Sequence, residues 1–215
     1  MINGLRSLWF RARQRTVKML NDALPGRPSV ALTARVSFRA KIEGHAKNIH
    51  IADHARVRED AWLNCIDATS RIEIGSGTLI MPYAKLVAGF GGFIKIGRNC
   101  TIHSFDVLYG FTGGLTLGDE VRTGTNVTLI SSNHNFDDVT RPMHEQGFTS
   151  RGIVISDNVW IGAGVIVLDG VTIGPNTVLA TGCVVTKSVP ESSVCAGVPG
   201  IVKRRRGENR HQNQS

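Results

Sequence analysis

The stretch LISSNHNFDD, from Leu129 to Asp138, places a histidine where the pattern of the chain breaks. Aliphatic residues recur every six positions up to Leu129 and again from Ile155, and His134 begins the polar insertion between them. A histidine side chain has an ordinary pKa near neutral, so it can take a proton from a hydroxyl group and return it within one reaction. His134 is therefore a candidate general base.

The elements that must position this insertion follow the six-residue period, which persists through seven groups of three positions. Its in-phase members are Val30, Val36, Ile42, Ile51, Val57, Leu63, Ile74, Ile80, Leu86, Ile96, Ile102, Leu108, Leu117, Thr123, Leu129, Ile155, Ile161, Val167, Ile173, Leu179 and Val185. Only Thr123 among them is not aliphatic. This period fits a short strand followed by a sharp corner, with three sides to a coil of about eighteen residues. The sequence therefore predicts about seven stacked coils.

The second half of the chain resembles the hexapeptide-repeat acyltransferases. Between residues 117 and 203 the resemblance is carried by SSNHNFDD, RPMHEQGF, ISDNVWIGAGVIVLDGVTIG, VVTKSVP and AGVPG. These motifs look most like sugar O-acetyltransferases of the galactoside and maltose acetyltransferase type, and closer still to those of bacterial polysaccharide biosynthesis. The resemblance implies an all-β fold, a left-handed parallel β-helix with a protruding catalytic loop. It also implies that acetyl-CoA is the acyl donor and that His134 is the catalytic base, without a covalent intermediate.

The same resemblance implies positions for both substrates. Residues that match CoA-binding positions are Trp160, Ala163, Thr181, Thr186, Lys187 and Arg204. The Asn and Asp that hold the acceptor in the galactoside type fall on Ser104 and Thr112 here, so the acceptor contacts depart from the family pattern. Ser104 and Asp106 are the remaining candidates for acceptor binding. The family also implies a homotrimer with its active site in a cleft between subunits, and no metal ion is expected.

Charge is concentrated at the two ends of the chain. The net charge is +8, of which residues 1–28 carry +5 (six Lys/Arg, one Asp) and residues 203–215 carry +4 (five Lys/Arg, one Glu). The body, residues 29–202, is left with −1. This distribution argues against a broad nucleic-acid-binding face. It also suggests a division into a basic N-terminal segment, a β-helix domain with a loop insertion at 132–152, and a basic C-terminal tail.

The N-terminal segment is predicted to be a basic helix. Its contact through residues 4–24 is either with an anionic membrane surface or with the first rung of the β-helix. The chain has neither a membrane-spanning run nor the apolar core of a signal peptide, so we expect a cytoplasmic protein, located in part at the inner face of the membrane if the helix binds lipid. The four cysteines lack metal-ligand spacing and are interpreted as buried apolar residues.

Other functions remain open at this stage. The acetyl group could go to a sugar amine, an antibiotic or a serine hydroxyl, with the same histidine chemistry. A metal-dependent hydratase of the γ-carbonic anhydrase type shares the fold, and His45, His50 and His54 approach its ligand spacing without an upstream partner. A catalytically silent binding protein is the third class, which the retained histidine motif argues against.

Overall fold

Parallel strands wind around three faces in the computed structural model, which describes residues 26–208. Successive strands occupy the three faces in turn. When the strands of the polar insertion and of the C-terminal hairpin are left out, each strand pairs with the strand three places earlier, in the same face. The predicted N-terminal helix, with its membrane contact at residues 4–24, lies outside the described residues. Within the described part of the chain, no helix is long and apolar enough to cross a bilayer.

The faces are named A, B and C, with strands numbered in chain order. Face A contains β1 (Ser29–Val30), β4 (Ile49–Ile51), β7 (Arg71–Ile74), β10 (Phe93–Ile96), β13 (Leu115–Leu117), β18 (Ile153–Ile155) and β21 (Thr172–Ile173). Face B contains β2 (Arg35–Val36), β5 (Arg56–Val57), β8 (Leu79–Ile80), β11 (Thr101–Ile102), β14 (Arg122–Thr123), β19 (Trp160–Ile161), β22 (Val178–Leu179), β24 (Ser193–Ala196) and β25 (Ile201–Arg205). Face C contains β3 (Lys41–Gly44), β6 (Trp62–Cys65), β9 (Lys85–Gly89), β12 (Val107–Phe111), β15 (Thr128–Ile130), β20 (Ile166–Val167) and β23 (Val184–Val185).

The predicted fold class, an all-β left-handed parallel β-helix of about seven coils, is confirmed for the described residues. Faces A and C each contain seven strands, one for every coil. In face A the in-phase residues stand in register, with Ile51 opposite Ile74, Ile74 opposite Ile96, and Ile96 opposite Leu117. Because each such ladder removes aliphatic side chains from water, burial along the whole prism stabilises the stack.

The polar in-phase residue, Thr123, has a structural explanation. Its side chain lies inside the prism and donates a hydrogen bond to the carboxylate of Asp106, which is fully buried. The same carboxylate accepts the backbone N–H groups of His103 at 2.9 Å and Val127 at 2.8 Å. Thr123 thus supplies a partner that an aliphatic residue could not, and the buried carboxyl of Asp106 is hydrogen-bonded at the corner between faces B and C.

The cysteines lie in the core, as the sequence predicts. Cys65, Cys100, Cys183 and Cys195 are free and buried. Burial raises the pKa of the Cys65 and Cys183 thiols to about 11, so both remain protonated at neutral pH. These thiols are therefore poor nucleophiles.

The C-terminal part of the chain folds back on face B. Strand β25 runs antiparallel to β24 and brings Lys203, Arg204 and Arg205 of the basic run onto the sheet edge. The predicted boundary between β-helix and tail, after residue 202, falls inside this strand. The start of the basic run is therefore an ordered part of the β-helix surface.

Candidate active site

The polar insertion leaves the β-helix at the end of face C, between β15 and β18. Inside it, β16 (Asn133–His134) pairs antiparallel with β17 (Phe148–Thr149), and a short 3-10 helix covers Met143–Glu145. His134 lies opposite Phe148 in this hairpin and is exposed. Within residues 26–208 its imidazole makes no hydrogen bond, so both ring nitrogens are open to a substrate. The structure thus presents the predicted base on a protruding, hydrogen-bonded hairpin.

Two serines fasten the neck of this insertion. Ser131 is buried and accepts the N–H of Phe111 at 3.0 Å, while its hydroxyl reaches the carbonyl of Tyr109 at 3.0 Å. Ser150, at the other end, accepts the N–H of Gly113 at 2.9 Å and lies within hydrogen-bond distance of the Ser131 carbonyl. Both ends of the insertion are therefore tied to β12 and the turn that follows it, one coil earlier in the β-helix. Sequence reasoning did not select either serine, although each stands where the six-residue period stops or resumes.

Gln146 holds the far half of the insertion together. Its amide donates to the carbonyls of Asp138 at 2.8 Å and Arg141 at 3.0 Å, and its carbonyl oxygen accepts the N–H of Asp138 at 3.1 Å. Asn135, next to the candidate base, donates from its side chain to the Gln146 carbonyl at 2.9 Å. The amide side chains of Gln146 and Asn135 together thus connect the tip of the insertion, through the Gln146 backbone, to the residue that follows His134.

We expect Gln146→Glu to lower turnover by about tenfold to a hundredfold with little change in melting temperature, because small misplacement of a catalytic group is costly. The carboxylate would face two carbonyl oxygens instead of donating to them, while the core of the prism is untouched. The measurement is kcat together with chymotrypsin cleavage after Phe136, which should become faster. Glu145→Gln, the reverse exchange of carboxylate and amide at an exposed neighbour, is the control and should change neither. Unchanged turnover in Gln146→Glu would show that this amide does not position the base.

The acidic residues of the insertion do not orient His134 in this structure. Asp138 caps a turn, accepting the hydroxyl of Thr140 at 2.6 Å and its N–H at 2.9 Å, and these bonds lower the pKa of its carboxyl. Asp137 is exposed. His144 is exposed and its Nε2 lies 3.8 Å from Glu145 Oε1. The structural role of Asp138 is therefore to cap a turn of the loop.

The two candidate acceptor-binding residues have different environments. Ser104 is half-buried at the corner before β12, with its N–H bonded to His103 Nδ1 at 3.0 Å. Asp106 is closed to solvent, and its three bonds are the internal ones to Thr123, Val127 and His103. In this structure Asp106 therefore supports the corner from inside and presents no atom to an acceptor, whereas Ser104 remains at the surface.

The positions matched to CoA binding lie at different corners of the prism. Ala163 and Thr181 are stacked at the corner between faces B and C, where the N–H of Gly182 donates to the Ala163 carbonyl at 2.9 Å. Thr186 and Lys187 follow β23 at the far end of face C, and both are exposed. Arg204 lies on β25 opposite Val194. Together with Trp160 on β19, these positions lie on face B, at its corner with face C and beyond the end of face C.

Trp160 lines a groove on face B. Sequence reasoning selected Trp160 as a site residue but none of the other residues that line this groove. The cavity has a volume of about 310 Å³, and Trp160, 59% exposed, lines it together with Arg122, Arg206 and the acidic Glu120. Arg206 belongs to the same basic run as Arg204, but it is Arg206 that reaches the groove. An aromatic ring beside two arginines suits a planar group with negative charge, and Glu120 offsets part of the positive charge.

The histidines of the alternative metal-site hypothesis were also located. His45 precedes the short 3-10 helix Ala46–Asn48, His50 lies on β4, and His54 stands at a corner with φ of 60°. Among the residues that the structure describes, no group of three or more His, Cys, Asp or Glu side chains is placed to hold a metal ion.

A triangular β-solenoid with an exposed histidine on a protruding loop defines the class of hexapeptide-repeat transferases. The family described as bacterial transferase hexapeptide (six repeats) matches residues 152–187. The chain is 36% identical over 193 residues to galactoside O-acetyltransferase of Escherichia coli, covering 89% of this chain and 87% of that protein. The protein therefore belongs to the hexapeptide-repeat acetyltransferases.

Two further comparisons agree with this assignment. Galactoside O-acetyltransferase of Lactococcus lactis is 35% identical over 134 residues, which cover 62% of each chain. A mutant of AntD, an N-acyltransferase from Bacillus cereus solved with dTDP-4-amino-4,6-dideoxyglucose and coenzyme A, superposes with a TM-score of 0.59. It is 19% identical and covers 90% of this chain and 89% of AntD, so it shows the shared fold alone.

Proposed function

We propose that this acetyltransferase moves the acetyl group of acetyl-CoA to a sugar hydroxyl in bacterial polysaccharide or glycoconjugate biosynthesis. The observation that carries the proposal is the exposed imidazole of His134 on an insertion fastened at its neck by hydrogen bonds. The identity to galactoside O-acetyltransferases, which spans 89% of the chain for the Escherichia coli protein, supports the sugar hydroxyl as acceptor.

The chemistry follows from the properties of the imidazole. His134 takes the hydroxyl proton as the acceptor oxygen attacks the thioester carbonyl carbon. The tetrahedral intermediate then collapses, the carbon–sulfur bond breaks, and the imidazolium returns its proton to the departing sulfur. The products are an O-acetyl sugar and free CoA. The four cysteines are buried, which supports direct transfer without an acetyl-enzyme.

We further propose that the active unit is a homotrimer. The matched CoA positions extend over face B, its corner with face C and the end of face C, a surface that a neighbouring subunit would close into a groove. In such a groove Trp160, Ala163, Thr181 and Thr186 would line the pantetheine arm, with Lys187 and Arg204 near the phosphates. Light scattering should give a mass three times the 23.3 kDa of the chain. A monomeric mass in an active preparation would contradict this arrangement.

The experiment that tests the acceptor class is steady-state release of CoA from acetyl-CoA against a panel of acceptors. The panel contains free, nucleotide-linked and lipid-linked sugars, together with amino sugars, an aminoglycoside and a serine derivative. Turnover with hydroxyl acceptors among the sugars, and O-acetyl products by mass spectrometry, is the expected result. Turnover with amines alone would replace the proposal by N-acetyl transfer, with the same base.

A further inference from the structure

Aromatic residues occupy three corners of the prism in an unusual backbone conformation. Tyr83, Phe90 and Phe105 have φ values of 64°, 54° and 65°. Corners in this left-handed region normally use Gly, Asn or Asp, and Asn126, Asn158 and Asn176 do so here. A bulky residue held in such a conformation is strained, and strain of this kind concentrates at functional sites.

Phe90 is the centre of a contiguous aromatic surface. Its ring centroid lies 5.2 Å from that of Phe111, edge to face, and 4.9 Å from that of Phe148. Tyr109 stacks on Phe111 with centroids 5.6 Å apart and an interplanar angle of 21°. We name these four residues, Tyr109, Phe111, Phe90 and Phe148, the aromatic wall. Phe90 itself is 56% exposed, so much of its ring faces solvent rather than core.

The aromatic wall continues into the hairpin of the candidate base. Phe148, its last member, is the residue that pairs with His134 between β16 and β17. A polar group borders the wall, because the exposed Thr112 donates its hydroxyl to the Phe90 carbonyl at 3.1 Å. An apolar aromatic surface edged by a threonine therefore leads directly to His134.

We propose that the aromatic wall binds the pyranose ring of the acceptor and so presents its hydroxyl to His134. This inference rests on the proposed function and names the subsite for its acceptor. A pyranose has a C–H face that packs on aromatic rings and a rim of hydroxyls that needs polar partners, and the wall with its threonine border offers both. The wall also supplies acceptor contacts in a chain that lacks the family's Asn and Asp at Ser104 and Thr112.

The position of Phe90 favours a ligand over a purely structural role. It stands in the turn Gly89–Phe90–Gly91–Gly92, where Asn or Gly would adopt the same backbone without strain. Since its ring is largely exposed, the fold gains little from it. The strand next to it is tightly packed, because a Cβ at Gly89 would lie 3.2 Å from Phe111 and 2.8 Å from Ile66. The ring of Phe111 therefore packs against the Gly89 backbone, next to the ring of Phe90.

The test is Phe90→Asn, which removes the ring and relieves the backbone. We expect the KM for the best sugar acceptor to rise about tenfold, with the KM for acetyl-CoA and the melting temperature unchanged or slightly higher. Phe90→Tyr should keep the wild-type KM. Tyr83→Asn also replaces an aromatic residue by asparagine at a corner with positive φ, but away from the wall. It is the matched control and should leave the acceptor KM unchanged. Saturation-transfer NMR with methyl glycosides of galactose, glucose, mannose and N-acetylglucosamine measures binding without turnover.

Three results would overturn the inference. An unchanged acceptor KM in Phe90→Asn would show that the wall does not bind the sugar. A mass of Phe90→Asn that differs from that of the wild type by light scattering would assign the wall to a contact between copies of the chain. A fall in kcat without a change in acceptor KM would make Phe90 an anchor of the hairpin. Failure of the proposed function is distinguishable, because the wild type would then turn over no sugar. In that case, saturation transfer to a methyl glycoside that Phe90→Asn abolishes would still support sugar binding at the aromatic wall. Absence of saturation transfer for all four glycosides would overturn the inference.

Discussion

Replacing His134 by alanine is expected to lower kcat by about 10²- to 10⁴-fold, the usual contribution of a positioned general base. The side chain is exposed on the β16–β17 hairpin and bonds to nothing in the described residues, so its removal leaves the fold intact. Affinity for acetyl-CoA and the melting temperature should therefore stay at wild-type values. The measurements are steady-state CoA release, calorimetric titration with CoA and thermal unfolding.

His144→Ala is the matched control for this prediction. His144 lies in the same insertion, is equally exposed and has only the 3.8 Å contact with Glu145. The control should retain near-wild-type kcat. If His134→Ala kept full activity, His134 would not be the base. If both variants lost activity equally, the loss would be assigned to the loop as a whole and not to His134 as the base.

Replacing Asp106 by asparagine is expected to change the pH dependence of stability. Burial raises the pKa of the Asp106 carboxyl to about 7, despite the opposing hydrogen bonds from Thr123, Val127 and His103. An aspartate in an unfolded chain has a pKa of about 4. Between about pH 4 and 7 the folded protein retains a proton that the unfolded chain has released, so the free energy of unfolding falls as pH rises. The full pKa shift corresponds to about 4 kcal/mol in the free energy of unfolding.

Asparagine cannot ionise, so the Asp106→Asn variant should lose this part of the pH dependence. Its amide nitrogen also cannot accept the His103 N–H, which should cost about 1–3 kcal/mol. We therefore expect the variant to be clearly less stable than wild type near pH 4.5, with the difference narrowing or reversing near pH 8. Urea unfolding across this range measures it. A difference that stays constant with pH would mean that the carboxyl titrates alike in both states.

Thr123→Val separates the hydroxyl from the carboxyl in the same network. The substitution restores the aliphatic ladder of face B but removes a hydrogen-bond partner from the Asp106 carboxylate. We expect it to destabilise the protein by about 1–3 kcal/mol in spite of its greater hydrophobicity. Thr172→Val, on the exposed face of β21, is its control and should change stability by less than about 0.5 kcal/mol.

The sequence by itself determined the scaffold of this protein. Side chains along most strands of this β-helix alternate between core and surface, and each coil repeats the last, so the six-residue aliphatic period indicates which side chains form the buried ladders. It also located the interruption and its histidine, because a break in a regular period is visible without coordinates. Resemblance to the acetyltransferases then gave the chemistry.

Only the tertiary structure decided how the site is held and what surrounds it. Ser131 and Ser150 lie nineteen residues apart in the chain yet meet at the neck of the insertion, and Phe90 reaches Phe148 from two coils earlier. Asp106, a candidate for acceptor binding from its sequence position, faces the core, where Thr123 donates a hydrogen bond to it. Such contacts join positions in different coils through corner geometry and side-chain direction. A period in the sequence fixes which residues point inward, but it does not fix where a loop folds back or which rings meet outside the prism.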